Sequence, residues 1–75
     1  MSPEQAIDAG CAFALAHLAV IEAAYGKDVA AGYAAGHAWG AGRYVQRTCG
    51  DRAAYNLCQD LADKHAAPML KSDAA

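Results

Sequence analysis

Gly26 and Gly50 divide this chain into three stretches of similar length, and each stretch reads as a helix. The first opens with Ser2-Pro3-Glu4-Gln5, in which Ser2 fits the N-cap and Pro3 the first helical position. Gln5 is placed to return a hydrogen bond to the cap, and Glu4 favours the positive end of the dipole. Gly26 supplies the stop after Tyr25. Asp28 is expected to cap a second helix, which Gly50 ends, with Arg43 and Arg47 near its negative end. Asp51 is expected to cap a third, which Pro68 should terminate because proline cannot continue the hydrogen-bond ladder. The expected helices run about 3–25, 28–48 and 51–66, with a loose tail over 69–75. The fold class is therefore all-α, a single three-helix domain spanning 1–75.

Apolar spacing then sets the expected packing. Ile7, Cys11, Ala14, Leu18, Ile21 and Tyr25 form one stripe on the first helix. Ala31, Ala35, Ala38, Gly42, Val45 and Cys49 form another on the second. Folding back at Gly26 should set Leu18 against Ala35, Ile21 against Ala31 or Gly32, Cys11 against Gly42 and Ile7 against Val45 or Gln46, large residues on small ones. The third helix offers Ala54, Leu57, Cys58, Leu61 and His65 to lie over this hairpin.

Composition decides what such a fold can do. Hydrophobic residues make up 56% of the chain, and 21 residues are alanine, so much of the apolar surface is of the smallest kind. A domain this small buries a modest share of its surface, and a second copy or another protein would supply the remainder. The net charge of −2 lacks the clustered cationic excess that nucleic acid requires. No positive segment precedes the first apolar stretch. Asp8, His17 and Glu22 interrupt its 20-residue window, Ala6 to Tyr25. The expectation is a cytoplasmic chain with no membrane segment.

The second helix carries more unusual residues than its packing needs. Val29, Tyr33, Gly36, His37, Gly40 and Tyr44 fall opposite the stripe assigned to the first helix, flanked by Trp39, Arg43 and Gly32. Glycine lets another backbone approach closely, and tyrosine, tryptophan and arginine are the types that carry interface energy. Val29, Tyr33, Gly36, His37, Trp39, Gly40, Arg43 and Tyr44 are accordingly the expected partner-binding residues. Cys49, beside the turn, is the cysteine expected to form any disulfide between two copies, since three cysteines cannot all pair within one chain.

Catalytic chemistry is not expected. Ser2, Thr48 and Ser72 are the sole hydroxyl nucleophiles apart from tyrosine, and Asp8 and Glu22 stand near opposite ends of one helix. His17, His37 and His65 lie one per helix without the spacing of a helical metal site, so no metal or cofactor is expected. Small size, absence of catalytic residues and an apolar contact face resemble the small inhibitors encoded by phages and mobile elements, anti-CRISPR proteins among them. That resemblance implies steric blocking of a larger protein or ribonucleoprotein complex such as a CRISPR effector, in the host cytoplasm. Two alternatives stand beside it. One is a self-associating assembly protein of phage or bacterial origin, and the other a metal- or ligand-binding module using His17, His37 and the cysteines. A homodimer is expected in either of the first two cases.

Overall fold

A computed structural model describes the backbone of residues 1–74 and the side chains through residue 70. Three helices account for nearly all of it: α1 Pro3–Tyr25, α2 Lys27–Cys49 and α3 Asp51–Ala74. The architecture is all-α, and no strand occurs among the described residues. The chain forms two compact units, Met1–His37 and Ala38–Ala75, with the boundary inside α2.

The start of α1 follows from its first four residues. The Gln5 amide donates to Ser2 Oγ at 3.1 Å and the Ser2 amide donates to Gln5 Oε1 at 2.9 Å, so two orphan amides of the first turn are satisfied reciprocally. The links between helices are single residues. The Gly26 amide donates to the Glu22 carbonyl at 2.8 Å while its own carbonyl accepts from Ala30 at 3.1 Å. Gly26 thus ends α1 and begins α2. Gly50 repeats the arrangement, donating to Gln46 at 3.0 Å and accepting from Ala54 at 3.2 Å. The expected caps Asp28 and Asp51 are instead first-turn residues of α2 and α3. A linker of one residue leaves the glycine carbonyl as the first acceptor, and each aspartate adds negative charge where the dipole favours it. Asp51 Oδ1 also accepts from Gln46 Nε2 at 2.9 Å, bracing the second link.

α3 passes through Pro68 and does not stop at 66, so Met69 and Leu70 of the expected tail are helical. Residue 75 of that tail lies outside the described residues. Proline removes one amide and presses on the carbonyl four residues earlier, that of Lys64, at a cost of about 3 kcal/mol. The neighbouring Ala66, Ala67, Met69 and Leu70 include strong helix formers, and the remaining ladder carries the helix across the gap.

In the first unit the half-buried residues of α1 are Ala14, His17, Leu18 and Ile21. On α2 the inward residues are Ala30, the one buried residue among those described, and the half-buried Ala34. The expected α1 stripe is therefore right at its centre, and its ends, Ile7, Cys11 and Tyr25, are exposed. On α2 the inward residues precede the expected Ala31 and Ala35 by one position. Nearly every side chain from Ala30 to Gly36 is as small as its neighbours, so apolar spacing cannot orient this turn. In the second unit Gly42, Val45, Ala53, Ala54 and Leu57 are half-buried. A Cβ on Gly42 would lie 3.8 Å from Cys58 Sγ, so this glycine makes room for α3. Leu61 and His65, expected on the inner face of α3, are exposed.

Candidate functional site

The chemistry of the first unit centres on Tyr33. Its hydroxyl and His17 Nε2 share a hydrogen bond of 2.8 Å, and the two rings meet edge to face at a centroid distance of 5.2 Å. Phe13 continues the cluster, lying nearly parallel to the His17 ring with centroids 6.1 Å apart. Phe13 and His17 are four residues apart, so both project from one side of α1 and the histidine is held between two aromatic rings. Tyr33, expected on a free face, is instead turned toward α1 and left 45% exposed. A bulky ring with a polar tip has few stable placements beside alanines, and the His17 nitrogen fixes one of them.

Tyr33→Phe keeps the ring and removes the bond. Its expected cost is about 0.5–1 kcal/mol, at the low end for a net hydrogen bond because the pair is partly solvated. A urea melt of the two chains measures it, and an unchanged midpoint would mean that the ring contact alone orients α2.

The other expected contact residues of this unit are open. Val29 and His37 are exposed, and nothing lies within 4 Å of a Cβ on Gly36. In the second unit Trp39 is 71% exposed, Tyr44 and Arg43 are exposed, and a Cβ on Gly40 would also meet open space. Thr48 Oγ1 donates to the Tyr44 carbonyl at 2.9 Å and lies 3.5 Å from Cys49 Sγ, tightening the end of α2. Asp51, Arg52 and Tyr55 outline a shallow, open depression at the start of α3.

All three cysteines are free and exposed. Cys11 and Cys58, placed on packing stripes by their spacing, are exposed like Cys49; the stripes close around Leu18 and Leu57 and leave the smaller thiols at their margins. Among the described residues no three histidine, cysteine, aspartate or glutamate side chains converge as metal ligands would.

Spacing alone missed the outer surface of α1. Phe13 (68% exposed), Leu15 (66%) and Val20 lie off the inward stripe. The signal was there to use: a helix apolar all round is normally covered all round. α1 is also long and apolar enough to cross a membrane, by length and composition, in spite of Asp8, His17 and Glu22. No known protein family, curated protein or solved structure matches this chain.

Proposed function

We propose that this chain is a non-enzymatic protein-binding module that acts by occupying a surface of a larger complex and blocking it. The observation that carries the reading is the exposure of large apolar side chains on every helix, Phe13, Trp39 and Tyr55 among them. Large apolar surface left in water marks binding sites, and Trp, Tyr and Arg are the residues that dominate their energetics. Trp39, Arg43 and Tyr44 supply all three types within two turns of α2. A host complex is the target this reading favours, with a CRISPR effector as the case that size and character bring forward.

Affinity capture from host lysate with the tagged chain tests it. Retention of one large complex, lost on Trp39→Ala, is the expected result. Truncating a central tryptophan typically costs 2 kcal/mol or more, about a 30-fold loss of affinity. Retention of the chain's own copies alone would replace this reading with that of a self-associating assembly subunit.

A further inference from the structure

The part of α2 that belongs to the second unit carries two cations on one open face. We infer that this face takes an acidic protein segment, presenting two carboxylates about 6 Å apart and an apolar side chain one turn beyond, as one side of an acidic helix does. The inference rests on the protein-binding reading and names the chemistry of the partner.

Gly40, Arg43 and Arg47 recur at intervals of 3 and 4, so they share a helical face. Gly42 and Val45 are the half-buried residues of this part of α2, and the face lies about 160° round the helix from them. Both arginines are exposed, and a Cβ on Gly40 would meet nothing within 4 Å. Trp39 and Tyr44 stand about 70° to either side of the face, both of them exposed. The result is a strip with cations at one end, a gap at the other and an aromatic ring on each edge.

Helix chemistry accounts for one of the two charges. Arg47 lies in the last turn, where a cation opposes the negative end of the dipole. Arg43 stands one turn earlier, where that field has faded. Two like charges one turn apart also repel, which destabilises a helix alone in water. A carboxylate on each guanidinium turns that cost into attraction. Two of the unit's own acids bond elsewhere: Asp51 accepts from Gln46 at 2.9 Å and Asp63 from Gln59 at 3.1 Å. Arginine is also the cation whose fork fits a carboxylate with two parallel hydrogen bonds.

The number of charges selects a protein anion. Nucleic acid is the competing polyanion, but its binding comes from counterions released at many phosphate contacts. Two arginines on a chain of net charge −2 release few. Exposed ion pairs add little affinity, yet they choose the partner, and Trp39 and Tyr44 supply the apolar contact that holds it. The partner's apolar side chain enters the gap over Gly40, between the two rings.

Trp39 is the one tryptophan of the chain, so its emission reports occupancy directly. The probe is an alanine-based helical peptide without tryptophan, bearing two glutamates four residues apart and a leucine three residues further on. Its addition should move Trp39 emission to shorter wavelength and saturate. A matched peptide with glutamine for both glutamates should bind about 5-fold more weakly. Arg43→Glu with Arg47→Glu should weaken binding of the acidic peptide about 10-fold or more. A peptide with lysines for the glutamates should bind that variant in its place, which also shows that the variant folds. Equal binding of the glutamate and glutamine peptides, or no shift with either, would overturn the inference. So would a larger shift from duplex DNA than from the peptide at equal concentration. A shift that appears on concentrating the chain alone would make a second copy the occupant and sink the proposal as well. A host complex captured equally by the unmodified chain and the doubly reversed variant would end this inference and leave the binding-module reading standing.

Discussion

Replacing Gly36 with leucine should make the isolated chain more helical and its binding to a partner weaker, two changes of opposite sign from one substitution. Within the chain a Cβ at this position meets nothing within 4 Å, so the new side chain enters solvent without a clash. Glycine inside a helix costs about 0.8–1 kcal/mol relative to a good helix former, and leucine recovers most of it. At a partner interface the same side chain fills the space that glycine leaves for close approach. Overpacking of that kind costs about 1–3 kcal/mol. The dissociation constant should therefore rise about 5-fold at least. Circular dichroism of the purified chain and affinity capture from host lysate measure the two effects separately. Unchanged capture would show that α2 uses another face, and lower helicity would show that Gly36 serves the fold of the single chain.

The opposed signs matter because most changes to a small helical chain confound stability with association. A core substitution such as Leu18→Ala would weaken both, since a dimer cannot outlast the helices that build it. Gly36 separates the two because its openness in the chain is the same property that makes it a seat for a partner. Gly40→Leu, one turn further along and equally open, should raise helicity in the same way and report how far the contact extends.

Local chemistry was legible in the residues, and rotation about a helix axis was not. Ser2, Pro3 and Gln5 are adjacent and their hydrogen bonds are short-range, so the start of α1 follows from four residues. Gly26 and Gly50 are equally local, because a break between helices of this length needs a residue free of Cβ constraints. The facing of α2 depends on differences between its sides, and from Ala30 to Gly36 those differences are confined to Tyr33. That ring is oriented by His17, 16 positions away, and no spacing rule announces a hydrogen bond between separate helices. At the other end, the expected stop at Pro68 weighed one costly residue and not the helix formers around it. The candidate contact residues divide along the same line. Trp39, Gly40, Arg43 and Tyr44 are open, whereas Tyr33 is engaged within the chain.

Alanine at Gly26 should abolish the turn between α1 and α2 without reducing helix content. Gly26 has φ 92° and ψ 170°, a backbone region that is essentially closed to residues with a Cβ. Holding alanine there costs about 1–3 kcal/mol. Moving it elsewhere breaks the two hydrogen bonds, to Glu22 and from Ala30, that make one residue serve both helices. The cheapest escape is ordinary helical geometry, for which alanine is the best residue, and α1 would then continue into α2 without a break. Little resists that outcome in the first unit, where Ala30 is the one buried residue among those described and the His17–Tyr33 bond is partly solvated. The far-ultraviolet signal should therefore hold or rise, while nuclear Overhauser contacts between the His17 and Tyr33 rings disappear. D-alanine at the same position accepts positive φ and should keep those contacts, which separates backbone strain from any effect of the added methyl group. Contacts that survive in the L-alanine chain would mean that the packing of Leu18 and Ile21 on α2, and not the glycine link, holds the helices together. Gly50, at φ 96°, should respond in kind, with the contact of Cys58 against Gly42 as the reporter.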